Sequence, residues 1–149
     1  MYKQVTGYIL LVVYLSVSPV GIAGEEIDTR KKLYLNQAER HHVLSEMRLF
    51  LNSVQKITRG VAEEDMKLVV EYARKAGRAA GGGAPAGFRD KLPKEFRMLG
   101  HQTHAKFDQL ALDAADLGDA SHVLSQLSSL MKNCIACHAS YQIKVSEAQ

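Results

Sequence analysis

The chain has 149 residues, the size of one ordinary domain, and its 46% hydrophobic and 23% charged residues are a globular balance rather than a disordered or fibrous one. Nineteen Lys and Arg against sixteen Asp and Glu leave a net charge of +3, too even for the basic stripe that phosphate backbones require, so nucleic acid is not an expected partner. Two Cys, no Trp and three Pro exclude a disulfide-stapled miniature scaffold.

Met1 to Gly24 holds Lys3, an apolar run from Tyr8 to Val17, the break Ser18-Pro19, and the small residues Gly21 and Ala23. This is the pattern of a cleaved signal peptide, expected here over residues 1–23, with the mature domain over 24–149. An uncleaved N-terminal anchor competes, but the run is shorter than the about 20 apolar residues a membrane helix needs. No membrane span is therefore expected in the mature form. Without a Cys near the cleavage point, a lipid anchor has no attachment site. Losing Lys3 leaves the mature chain close to neutral, in an extracytoplasmic, oxidising space.

From Asn36 to Arg59, Val43, Leu44, Met47, Phe50, Leu51, Val54 and Ile57 recur at three- and four-residue steps, the stripe of a first helix that Gly60 is expected to end. A second helix is expected from about Ala62 to Arg78, with Glu63, Glu64 and Asp65 in its first turn and Met66, Val69, Val70, Ala73 and Ala76 as its stripe. The run Ala79 to Gly87 contains four glycines and Pro85, so residues 79–92 read as a flexible Gly-rich connection. The run lacks the Lys-Ser/Thr ending of a phosphate loop.

Pro93 suits a helix start, and Phe96, Leu99, Thr103, Phe107, Leu110, Ala114 and Leu117 mark a third stripe, ended at Gly118-Asp119. Asp119 or Ser121 can cap a fourth helix whose stripe runs through Val123, Leu124, Leu127, Leu130, Met131, Cys134, His138 and Tyr141. No segment alternates with period two. The expected fold class is all-α, an antiparallel four-helix bundle, in which cofactors sit between facing helices.

Cys134-Ile135-Ala136-Cys137-His138 is the one specific motif, and it matches the C-x-x-C-H pattern of c-type haem attachment. On a helix, positions i, i+3 and i+4 share a face, so two thiols can bond the two vinyl groups while the imidazole reaches iron. The export signal agrees, since bacterial c-type haem is attached outside the cytoplasm. One covalent haem near the C-terminal helix is expected, held by Cys134 and Cys137 and ligated by His138. Blander readings are a local disulfide or C-x-x-C redox pair and a satisfied core histidine. The redox pair sits poorly, because such motifs open a helix after a strand. A remote alternative is a zinc-binding structural bundle using Cys134, Cys137, His101 and His104.

From Asn36 to Lys144 the chain resembles the class II c-type cytochromes, the cytochrome c prime family. The likeness is clearest in Phe107, Ala114-Ala115, Gly118-Asp119 and Cys134-x-x-Cys137-His138-x-x-Tyr141. The resemblance implies a periplasmic one-electron carrier rather than an enzyme, working with redox partner proteins, with His138 proximal and Met47 of the first helix as the distal iron ligand. It also implies the competing function: with Met47 only packing, the iron is five-coordinate and binds nitric oxide or carbon monoxide. A homodimer through the first two helices accords with the family habit. Met66 and Met98 are weaker candidates, more suited to core packing, and Met131 lies one turn from Cys134 on the proximal helix.

Two positions depart from the family. Gln142 follows the motif's tyrosine where a basic residue is frequent, leaving a proximal basic group in doubt, and Val43 stands where relatives often carry an arginine that contacts a haem propionate. His41 and His42 are expected on the exposed side of the first helix, with a histidine ligand from the pair as an alternative; His101, His104 and His122 are read as solvated or edge histidines.

Overall fold

The computed structural model describes residues 28–146; the expected signal peptide over 1–23 lies outside the described residues. The chain is mostly helical: α1 Gln37–Ala62, α2 Met66–Lys75, a short α3 Phe88–Lys91, α4 Lys94–Leu117 and α5 Ala120–Ser140. Two strands, β1 Lys31–Leu35 and β2 Tyr141–Val145, pair in parallel, with Lys31 opposite Tyr141 and Leu35 opposite Val145. Among the described residues no helix is long and apolar enough to cross a membrane.

Local chemistry accounts for the helix starts. Asn36 and Glu39 form a reciprocal capping box, each side chain accepting the other's backbone N–H at 2.9 Å. Asp119, rather than Ser121, caps α5, accepting from Ser121 N–H at 2.8 Å and His122 N–H at 3.1 Å. Gly118 ends α4 with φ 61°, a left-handed conformation that suits a residue without Cβ.

The boundary expected at Gly60 moves. Helix α1 continues to Ala62 and Gly60 lies buried inside it, where an added Cβ would stand 2.9 Å from the Asp65 carbonyl oxygen and from Val69 Cγ2. The glycine is there for close approach of α2, not for a cap. The acidic run expected in the first turn of the second helix instead forms the connection. Asp65 caps α2 by accepting from Leu68 N–H at 3.0 Å.

The strands also depart from expectation. In β1, Leu33 and Leu35 are buried while Tyr34 is exposed, an alternation too short to read in the sequence. Tyr141, expected on the last helical stripe, opens β2. Tertiary pairing with residues 110 positions away made both strands, and no local pattern could announce it.

Helix α1 packs on α2, α2 on α4, α4 on α5, and α5 returns to α1. Phe50, Ile57, Val69, Phe107, Leu110 and Leu130 lie in the main core. A second cluster joins Leu33, Leu35 and Val43 to Phe88 and Leu92. The glycine-rich connection therefore carries a 3-10 turn at Arg78–Gly81 and two apolar anchors, Phe88 in α3 and Leu92 just after it. A further tie fastens it to α1: Lys91 Nζ lies 2.6 Å from the buried Glu39 carboxylate, whose pKa that cation lowers, helped by the Asn36 N–H and opposed by burial.

Candidate functional site

Between α1, α3, α4 and α5 lies a cavity of about 930 Å³. Its volume falls within the roughly 300–1,000 Å³ typical of cofactor and small-molecule sites. Cys134, Cys137 and His138 line it from α5, and Met47 lines it from α1. All four residues singled out by motif and resemblance thus border one space. Both thiols are half-buried and free, and His138 is exposed.

The wall is apolar. Val43, Met47, Phe50 and Val54 supply the α1 side, and Phe88 and Leu92 close another. Three residues counted on core stripes or within the motif stay open to solvent at this cavity: Leu51 at 72%, Ile135 at 69% and Met131 at 38% exposure. Burying such side chains against an apolar ligand is favourable, at about 25 cal/mol per Å² removed from water. Met47 is partly buried and packs against both core clusters. Met66 packs on the main core and Met98 is exposed; neither lines the cavity.

Beside the motif, Asn133 is buried and donates to Thr103 Oγ1 at 3.4 Å, while Lys106 Nζ donates to the Ser129 carbonyl oxygen at 2.9 Å. These bonds tie α5 to α4 at Ser129 and at Asn133, the residue before Cys134. Burial pushes both cysteine thiols above their ordinary pKa. Dithiol redox motifs place their reactive thiol at a helix N-terminus, whereas Cys134 and Cys137 lie in the last two turns of α5, so the geometry disfavours that chemistry here.

The zinc set is not assembled. Among the described residues no three His, Cys, Asp or Glu side chains converge as a metal group. His104, proposed as a ligand or an edge residue, is buried: its Nδ1–H donates to the Ala76 carbonyl at 2.8 Å, and its Nε2 lies 3.5 Å from Glu46. The Phe50 ring meets it edge-on at 4.9 Å. Glu46 raises the His104 pKa, burial opposes, and the Ala76 carbonyl adds to the rise. Tertiary packing of α1 and the end of α2 against α4 makes this environment, which helical spacing on α4 alone cannot show.

His42 corrects a second expectation. It borders the cavity rather than standing out in solvent, meets Phe88 edge-on at 5.4 Å, and lies 3.9 Å from Glu46. The i, i+4, i+8 row of His42, Glu46 and Phe50 was the available signal for this face. His41 is exposed, as are His101 and His122. From the other end of the chain, Arg30 Nη1 donates to the His138 carbonyl at 3.2 Å. No protein-family model matches this chain, and no curated protein or solved structure matches it significantly.

Proposed function

We propose that α1, α2, α4 and α5 form an antiparallel four-helix bundle carrying one covalently attached haem, and that the protein is a periplasmic electron carrier of the class II cytochrome type. The observation that carries this reading is the shared cavity of Met47, Cys134, Cys137 and His138. The donors fit the group: two free thiols at i and i+3 for the vinyl edges, an imidazole at i+4, and a thioether on another helix. When bound, haem supplies a one-electron ferric–ferrous cycle, whose reduced state a thioether ligand favours.

The chain's own residues do the rest. Cys134 and Cys137 would tether the haem, and His138 and Met47 would supply its iron ligands. Phe50 and Val54 keep water from the α1 side, while Phe88 and Leu92 close the α3 side. The Asn133–Thr103 bond fixes the helix that bears the tethers.

A second reading has one observation in its favour. Met47 already packs against both core clusters, so its thioether has a structural use without iron. In that case the distal face is open and the protein binds nitric oxide or carbon monoxide.

The test is an optical spectrum of the oxidised and reduced protein produced with a cytochrome c maturation system, repeated on Met47→Ala. The carrier reading expects a low-spin spectrum whose methionine-to-iron charge-transfer band disappears in the variant. A high-spin spectrum unchanged by the substitution, with rapid carbon monoxide binding to the reduced protein, selects the gas-binding reading. Absence of covalently retained haem after acid-acetone extraction overturns both.

A further inference from the structure

The charged residues around the cavity are not balanced. Among the described residues, Arg78, Arg89, Arg97 and Lys132 border it, against the single carboxylate Glu46. Two of these five are already engaged. Arg78 Nε lies 2.8 Å from Asp108, and Glu46 faces His104 and His42. Among the described residues, Arg89, Arg97 and Lys132 have neither an ion-pair partner nor a side-chain hydrogen bond across the ion pairs and bonds that order this region.

Their placement is not incidental to the fold. Phe88, just before Arg89, is buried in the second core cluster, and Leu92 holds the other end of α3. Phe96, just before Arg97, packs edge-on against Tyr141 at 5.3 Å. Each arginine therefore follows an anchored aromatic, which fixes its backbone while its side chain stays exposed at the cavity. Lys132 stands two residues before Cys134 on α5.

An apolar hollow bordered by three unpaired cations suits a ligand with a broad apolar body and anionic edges. Guanidinium groups pair with carboxylates through two parallel N–H···O bonds, stronger and more directional than neutral contacts. We infer that Arg89 and Arg97, with Lys132, bind the carboxylate edge of a dianionic tetrapyrrole and so set its orientation in the cavity. This rests on the haem reading. It moves carboxylate recognition away from the α1 position held by Val43 and onto the segment 88–97, which the sequence presents as part of a connection and the start of a helix.

The experiment titrates the full-length chain, produced without haem attachment, with zinc protoporphyrin and separately with its dimethyl ester, following porphyrin fluorescence. The free acid is expected to bind roughly tenfold more tightly than the ester, as one or two charge-assisted bonds would supply. In Arg89→Gln/Arg97→Gln that preference should fall to about twofold or less while ester binding is retained, which also shows that the variant is folded. Equal affinity of acid and ester in the unmodified chain overturns the inference and leaves the haem reading standing. So does a preference that survives the double substitution combined with Lys132→Gln. Binding of neither porphyrin by a chain whose circular dichroism is helical overturns the inference, while the haem reading stands or falls on covalent retention of haem after acid-acetone extraction.

Discussion

The Arg30 guanidinium and the His138 carbonyl oxygen meet at 3.2 Å, although 108 positions separate them in the chain. A second contact reaches the Tyr141 carbonyl at 3.5 Å, and Asp28 holds the guanidinium from behind at 2.7 and 2.9 Å. The last carbonyls of a helix lack intrahelical donors, and a cation there also suits the negative end of the helix dipole. The parallel pairing of β1 with β2 brings this cation to the end of the helix that bears the cysteine motif.

Arg30→Ala should therefore loosen the end of α5. Hydrogen exchange at the amides of residues 138–143 is expected to quicken, with the amides in the middle of α4 unchanged and Arg40→Ala, an exposed substitution on α1, serving as control. Unchanged exchange at the end of α5 would show that the strand pairing holds this end without Arg30.

Gly60 tests the close approach of α1 and α2. Alanine there gains up to about 1 kcal/mol of helix propensity over glycine. Against that, its Cβ would stand 2.9 Å from the backbone oxygen of Asp65 and from Val69 Cγ2. Backbone cannot give way as a flexible side chain can, so Gly60→Ala should be net destabilising by about 1–2 kcal/mol and Gly60→Val by more, measured by urea unfolding. A stabilised alanine variant would mean that α2 can move aside.

His104 predicts how stability depends on pH. Its Nδ1–H is committed to the Ala76 carbonyl, so in the neutral ring Nε2 is a bare acceptor facing the Glu46 carboxylate; a second proton turns that opposition into a bond. The neighbours facing it are Glu46, the Ala76 carbonyl, the Phe50 ring edge and the more distant Asp108 charge. The folded pKa is raised above the ordinary 6.5, so the stabilisation is fully present below that value and is lost as pH climbs through the folded value. Melting temperature should fall as pH rises above the ordinary histidine value of 6.5 and through the raised folded value, and Glu46→Gln should flatten the fall. An equal slope in the variant would assign the pH dependence to other groups.

Much of this protein is legible in one dimension. Amphipathic stripes of period 3.6, the capping residues Asn36 and Asp119, Pro93 before α4 and Gly118 at its end specify long helices, because these are contacts between residues a few positions apart. The motif from Cys134 to His138 is equally local, since its chemistry depends on spacing along a single helix. Met47 was nameable through family resemblance, while its position beside the cavity required the packing of α1 against the other walls.

Tertiary structure decided what depends on partners far apart in the chain. The two strands exist because residues 31–35 meet 141–145, and a five-residue run carries too little pattern to announce a partner 110 positions away. His104 is buried because α1 and the end of α2 close over it, and Gly60 matters because Val69 approaches it; neither neighbour is visible from its own helix. The same holds for the cations around the cavity. Their charge is written in the sequence, but whether a cation is paired or free depends on which elements stand beside it, and only the folded chain settles that.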